Sequence, residues 1–445
     1  MKQYIDFFNQ NRDLIFKNGT SVLNQQREES FLKCCTEGFP MQGSEDYKHS
    51  NLGEWFAPNY GMNVQNFSPS VELKGLFGCF LPGLSSRICF LLNEHFVEKE
   101  QTLPHTEEGV LLGSLRDFSL SVPYLVEKYY NTSKPFPQDV IRDFNTTFVQ
   151  DGFFLYVPKG VKLTSPIQLI TLLKGRVDML LPRRLLIILE DGAEASIILC
   201  HHALDNQNFL ANQVTELFVG KDATLNFCEL EETNSIIKHT SSTYLQQREN
   251  SRVVMNELTL LNGSSRNNYF ISLEEEGAEL SLSGLAIEDE KSQADIFVNV
   301  EHKVPHCSSN QLFKFVLDDF SQGSFAGKVL VKEGAEKTLA YQLNKNLCLS
   351  EGARMFTKPQ LEIYAEDVKC SHGSSVGQLD EDAIFYMRSR GLSYEDAQML
   401  LKYAFADDVL QKIDSNPLRK RLKTLVEKRF KGEMAKCASC MLRKE

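Results

Sequence analysis

The chain of 445 residues has a single tryptophan and no apolar run approaching the roughly eighteen positions needed to span a bilayer. Its apolar stretch Leu185–Leu189 reads as a buried strand, and no membrane partner is expected. The opening MKQYIDFFNQNRDLIF is broken by Asp, Asn and Arg where a secretory signal has a continuous apolar core, so a cytoplasmic location is expected. Eleven cysteines, odd in number and irregular in spacing, argue against a disulfide framework. Cys79, Cys89, Cys200, Cys228 and Cys348 sit in apolar surroundings and read as core, as do Cys34 and Cys35. A phosphate loop is missing as well. The nearest approach, Gly323 to Val329, is one residue short and has Val where Ser or Thr must hold magnesium, so ATP hydrolysis is not expected of this chain. Neither a nucleophile-elbow serine nor a His-Glu-x-x-His pair is expected. A polysaccharide-cleaving enzyme, which needs paired carboxylates and export, is the weak enzymatic alternative.

What is present describes a large folded protein. An apolar fraction of 42% and a charged fraction of 24% are ordinary for a globular chain long enough for two or three domains. The net charge of −11 makes nucleic acid an unfavourable partner. Residues 1–150 read as a mostly helical domain. Ile5, Phe7, Phe8, Leu14, Ile15 and Phe16 suggest an amphipathic first helix, and Leu84–Glu98 suggests another through Cys89, Leu91, Leu92 and Phe96.

From Asp151 the texture becomes short β-rich runs broken by Gly, Pro and Asp. A polar residue followed by Gly-Ala and a strand recurs at Gly192, Gly277, Gly334 and Gly352, with Asp222-Ala223 as a variant. The gaps of 55, 57 and 18 suggest multiples of one length, which the gap of 30 does not fit. Imperfect strand repeats turning on small residues suit a β-solenoid over residues 151–376, with a β-sandwich as the rival. The fold class expected is therefore mainly β, with helical domains on both sides of the solenoid. After Gly377, residues 377–445 read as helices. Ser393 offers an N-cap, Asn416-Pro417 starts the last helix, and Leu418, Leu422, Leu425, Val426 and Phe430 form its stripe opposite a basic face. Such helices are expected to cap the solenoid's open end and to offer a docking surface.

The chemistry centres on Gln360–Gly391. Leu361, Ile363, Ala365 and Val368 read as strand and Asp380–Gly391 as helix, with Cys370-Ser371-His372 between. Positions two apart on a strand face the same way, so Cys370 and His372 point together while Lys369 and Ser371 point away. A thiol beside an imidazole is a ligand pair for iron or zinc, or a nucleophile with its base. The plain alternative is a buried Cys next to a surface His without a role. Cys437 and Cys440 form half a zinc site at best, and a frayed tail is the simpler reading. His201 and His202, being adjacent on a strand, face opposite ways and do not readily share an ion. His302, His306 and Cys307 form another metal-like group; His302 and His306 are four apart, which is ligand spacing on a helix, but Val300–Val304 reads as strand.

The run DVKCSHGSSVGQLDEDAIFYMRSRG resembles the C-terminal signature of the SufB/SufD family of iron–sulfur cluster assembly proteins, on its SufD branch. The resemblance extends from about Asp151 to Ile413, and more thinly to the N-terminal part, where Tyr47 and His49 stand in place of the family's Trp and Tyr. It implies a right-handed parallel β-helix core. It also implies a SufB-like homologue as partner (or a second copy of the chain), and a SufC-type ABC ATPase bound to the C-terminal helices. It makes His372, with Cys370 beside it, a contact for iron or an iron–sulfur cluster at the subunit interface. No tightly held cofactor is expected, only transient iron or a cluster shared with the partner. The function implied is a scaffold or accessory subunit, not an enzyme, that assists iron entry. SufB-type chains carry Cys-Glu-His-Glu-like residues at this place, so Ser371 and Gly373 favour the SufD branch over a cluster-carrying SufB-like subunit.

Overall fold

The computed structural model describes residues 1–40, 45–67, 86–97, 109–132 and 139–433. After the N-terminal helices α1 (Lys2–Asn18), α2 (Ser21–Asn24), α3 (Arg27–Glu37) and α4 (Leu52–Trp55), the chain enters the first strands, β1 (Arg87–Leu92), β2 (His95–Val97) and β3 (Leu111–Ser114). Helices α5 (Leu115–Ser121), α6 (Pro123–Tyr129) and α7 (Val140–Phe148) follow. Then come β4 (Gly152–Val157), β5 (Ile167–Leu173), β6 (Met179–Leu189), β7 (Glu194–Ala203), β8 (Phe209–Val219), β9 (Thr224–Glu232), β10 (Lys238–Gln247) and β11 (Arg252–Leu261). The series continues with β12 (Ser264–Leu273), β13 (Glu279–Glu288), β14 (Gln293–His302), β15 (Ser308–Leu317), β16 (Gln322–Val331), β17 (Leu339–Cys348), β18 (Arg354–Ile363) and β19 (Lys369–Gly377). Three helices close the described chain: α8 (Glu381–Ser389), α9 (Tyr394–Leu410) and α10 (Asn416–Phe430).

From β4 on, successive strands alternate between two parallel sheets. One runs β19-β17-β15-β13-β11-β9-β7-β5-β1-β2, the other β18-β16-β14-β12-β10-β8-β6-β4-β3. We call them the odd and even sheets. Each coil gives one strand to each, and the chain is the β-solenoid with helical flanks that its composition suggested. The register measures the coil: Lys238 pairs with Ser264 at the short extreme and Gln322 with Arg354 at the long one. This corrects the repeat. The interval of 30 from Gly192 to Asp222 is one coil, and the intervals of 55 and 57 are two coils each. The interval of 18 carries the chain from one edge of the solenoid to the other, because Gly352 lies in an odd-to-even turn. The helix expected over Leu84–Glu98 is also corrected. Its described part is a hairpin, β1 paired antiparallel to β2. Ile88 to Leu92 is an unbroken apolar run that carries no helical period, and Asn93 takes the left-handed conformation (φ 56°) that turns the chain. Strands thus enter the sheets before Asp151.

The even-to-odd turns stack into a ladder. Gly192, Asp222, Asn250 and His306 all adopt positive φ (68°, 57°, 53° and 61°). Their amides donate to the carbonyls of Lys221, Glu249, Glu276 and Glu336 in the next coil, at 2.7, 2.8, 2.9 and 3.0 Å. Gly, Asp and Asn suit this geometry. His306 is there as a turn residue.

The interior is divided lengthwise. Near the ladder the inward residues are apolar: Leu225, Phe227, Val253, Met255, Ile271 and Leu273 belong to one core. Toward the opposite edge they turn polar while remaining buried, as Glu229, Glu231, Glu257, His239, Ser241 and Asn267 show. The N-terminal helices pack on the outside of the even sheet. Tyr4, Phe8, Phe56, Phe144 and Phe148 form an aromatic cluster that reaches Leu180 and Leu210 on β6 and β8. The segment Glu45–Leu52 packs along the same face, with His49 stacked on Phe356 at 3.8 Å and Arg266 over the Tyr47 ring at 4.5 Å. Helices α9 and α10 do not cap the open end, contrary to expectation. Their apolar faces (Ala406, Val409, Leu410, Leu418, Leu422, Leu425) lie against Ile198, Cys228, Leu258 and Leu285 on the outside of the odd sheet. That stripe of outward apolar residues on the odd sheet is the surface they bury. Among the described residues no helix is long and apolar enough to cross a membrane.

Candidate functional site

Strand β19 is the last strand of the odd sheet, paired in parallel register only to β17. Cys370 stands opposite Ala340 and His372 opposite Gln342. Both Ala340 and Gln342 are buried inward residues, so Cys370 and His372 are the terminal members of two interior columns. The column behind His372 is Gln342, Gln311 and Leu282; the one behind Cys370 is Ala340, Ser309 and Leu280. Two residues of strand separate them by about 6.6 Å along the backbone.

Their surroundings differ. Cys370 is half-buried against Val329, Val331, Ala335, Ala340 and Leu361. Burial pushes its thiol pKa up, with backbone hydrogen bonding at Ala340 pulling weakly the other way. At rest Cys370 is a thiol, not a thiolate. His372 is exposed at the mouth, and behind it the buried Gln342 amide donates to Gln311 Oε1 at 2.9 Å. Gly373 to Gly377 has the Gly-x-Ser-x-Gly spacing, yet all five residues are extended within β19; a nucleophile elbow needs a sharp strand-to-helix turn. Likewise Gly323–Val329 lies inside β16, where no loop exists to cradle a phosphate.

The last coils and the segment that follows β19 are rich in exposed apolar side chains. Of eighteen large apolar side chains exposed among the described residues, eleven fall between Leu339 and Leu400, including Val376 on β19 and Phe385 and Tyr386 on α8. A cluster of this kind marks an interaction surface.

The other expected groups are placed as follows. Cys79, expected in the core, and Cys437 and Cys440 lie outside the described residues. His302 is buried at the end of β14, with Nε2 2.9 Å from Ser309 Oγ, and burial lowers its pKa to about 4. Cys307 is a buried turn residue beside His306, and Cys34 is buried as expected, whereas Cys35 is corrected from core to an exposed position on α3. His201 and His202 do face opposite ways: His201 points into the solenoid, whereas His202 lies on the outer face under Leu418 and Arg421. Sequence reasoning missed what His201 meets inside. Its Nε2 is 2.8 Å from Glu229 Oε1, and its ring centroid is 4.8 Å from that of His239. Glu229 is 28 residues on, one coil away, so the coil length was the signal that could have found it. His239 comes from the opposite sheet.

Comparison with known proteins identifies the family. The family description "SUF system FeS cluster assembly, SufBD core domain" matches residues 172–405, and "SufBD protein N-terminal region" matches residues 1–169. The iron-sulfur cluster assembly SufBD family protein slr0076 of Synechocystis sp. is 33% identical over 91% of this chain and 91% of its own length. The iron-sulfur cluster assembly protein SufD of Escherichia coli is 32% identical over 55% of this chain and 58% of its own length. SufD of Bacillus subtilis is 24% identical over 76% and 79%. With both family regions matched along a two-sheet solenoid, the chain belongs to the SufBD family of iron–sulfur cluster assembly proteins.

Proposed function

We propose that the chain is a non-catalytic scaffold subunit of a SufBCD-type assembly complex. In this reading β19 pairs edge to edge with a SufB-like homologue, or with a second copy of this chain. The C-terminal helices receive a SufC-type ABC ATPase, and Cys370 and His372 contribute contacts for transient iron or a nascent cluster. The observation that carries it is the position of those two residues: they end interior columns at an uncapped solenoid mouth, on an edge strand with one free side. A nine-residue exposed edge is a template for another strand. Two ligands do not hold a cluster, since four are usual, so the partner supplies the remainder. Because the Cys370 thiol keeps its proton at rest, metal binding there releases one, and the site is loaded only when the partner's charge and the metal compensate. ATP-driven closure of the ATPase subunits, acting through α8 to α10, opens the paired edges and admits iron.

The test is anaerobic reconstitution of the three-protein complex. Val376→Lys, which puts a charge on the free edge, should abolish pairing by light scattering. His372→Ala should leave pairing intact and reduce cluster yield. Equal cluster formation by His372→Ala and the unaltered chain would remove the ligand assignment.

A further inference from the structure

The polar half of the solenoid interior holds a second constellation, far from β19. On β7, β9 and β10, the ligating atoms of His201, Glu229 and His239 all lie within 4.8 Å of one another, and all three residues are buried. From β7 to β19 there are six strand spacings along the odd sheet, about 29 Å, so the two places are independent.

We propose that His201, Glu229 and His239 form a binding site for a divalent transition-metal ion, Fe(II) or Zn(II), inside the solenoid. Two imidazoles and a carboxylate are a donor set suited to these ions, and three donors leave one or more coordination positions open. His239 is 3% exposed and its Nε2 has no hydrogen-bond partner, although a buried polar nitrogen left unpaired costs about 1–3 kcal/mol. Glu231, 4% exposed, also leaves Oε1 unpaired, 3.8 Å from His239 Nδ1, and is a further buried oxygen donor. The groups around the site are placed as outer-shell supports. Thr171 Oγ1 is 2.8 Å from His201 Nδ1, and Gln213 donates to Glu229 Oε1 at 3.2 Å. Without an ion, His201 gives Nε2–H to Glu229; moving the proton to Nδ1, where Thr171 accepts it, frees the Nε2 lone pair for a metal.

Charge points the same way. The buried guanidinium of Arg183 lies in the field of three carboxylates, Glu229, Glu94 and Glu231, and its own Nε and Nη1 are unpartnered. Bonds of about 2.0–2.1 Å in tetrahedral geometry bring ligand atoms about 3.4 Å apart, so closing the set takes an inward movement on the order of 1 Å by one side chain.

The experiment uses the full chain carrying Cys370→Ser, His372→Ala, Cys437→Ser and Cys440→Ser, which silences the other candidate ligands. It is titrated anaerobically with Fe(II) and, separately, with Zn(II), then desalted and assayed for metal. One equivalent per chain should remain, with a raised melting temperature. Co(II) bound in its place should show no thiolate charge-transfer band. Adding His239→Gln should weaken binding at least tenfold, as should Glu229→Gln, which keeps an oxygen for His201 and Gln213. Melting of the metal-free variants near that of the background establishes that they fold. No retained metal in the background, or equal retention in a folded Glu229→Gln variant, overturns the site.

Discussion

A buried ion pair of the solenoid helps to fasten the N-terminal helices to it, and its removal makes a quantitative prediction. Arg184 on β6 and Glu216 on β8 meet at 2.7 Å with both side chains fully buried. The guanidinium is further engaged by Asn131 at 2.9 Å and by Asn145 and Thr146 at 3.3 Å, and it lies 4.9 Å over the Tyr130 ring. Glu216 in turn accepts from the Asn131 amide at 3.0 Å. All four of these partners come from the segment around α6 and α7, so the pair is the hub of the joint. Glu216→Ala leaves a guanidinium buried without its counter-charge, and breaking such a pair costs about 3–5 kcal/mol. Replacing both partners by apolar residues, Arg184→Met with Glu216→Leu, removes the uncompensated charge as well as the attraction and should recover most of that loss. Urea unfolding followed by tryptophan emission reports on the joint, because the single tryptophan, Trp55, is buried in the N-terminal aromatic cluster. A double variant as unstable as Glu216→Ala would refute the reasoning, since it would mean that packing and not the orphaned charge sets the cost.

Two further outcomes are expected. Lys314 has a side chain only 2% exposed; its Nζ bonds Phe405 O at 2.8 Å and Asp408 at 2.5 Å, and it lies 4.3 Å over the Phe405 ring. Lys314→Ala should therefore loosen α9 by about 2–3 kcal/mol and speed proteolysis of the C-terminal helices, whereas Asp408→Asn, at an exposed carboxylate, should change little. Burial also lowers the pKa of His302 to about 4, so unfolding below its ordinary value of 6.5 takes up a proton there. The stability it contributes is complete above pH 6.5 and is lost as pH falls toward 4. His302→Gln should accordingly flatten the pH dependence of the unfolding free energy in that window by up to about 1.4 kcal/mol per pH unit; an unchanged slope would show that His302 is not held neutral.

The solenoid was legible because its turns are chemically marked, and its period was not because the marks are incomplete. Gly192, Asp222 and Gly277 belong to one ladder of left-handed turns, but Asn250 and His306 occupy the same ladder without a Gly-Ala or Asp-Ala signature. Gly352 mimics the signature from the other edge. The hairpin at Arg87–Val97 was misread because a short apolar run without polar interruption has no period to separate strand from helix. Cys370 and His372 were legible as a pair, since alternation along a strand is local. That their common face is the interior, at its open end, depends on which side of the coil is filled, and only three-dimensional register supplies that. The meeting of His201 with Glu229 and His239 needed the coil length and the facing of two sheets together.

The two ends of the solenoid are finished differently, and this contrast is the physical basis of the proposed pairing. At the first coil each sheet terminates in a short antiparallel strand, β2 of three residues and β3 of four. Short, reversed edges of this kind are a common way to prevent further strand addition. At the last coil the edges are β18 and β19, of ten and nine residues, in the same parallel register as the coils behind them. Pro359 removes one donor from β18, and no proline interrupts β19. A terminal repeat that stood alone in water would gain by a polar cover or a capping helix. Here α9 and α10 pass the mouth by and bury their apolar faces on the outer side of the odd sheet, leaving Val376 and Ile363 exposed beside it. The interior columns meanwhile change character as they reach that mouth, from Leu280 and Leu282 on β13 to Cys370 and His372 on β19. An apolar ending would have served a simple dimer contact better. The same coil that lacks a cover thus ends in a half-buried thiol and an exposed imidazole, the two groups to which the proposed pairing gives a use.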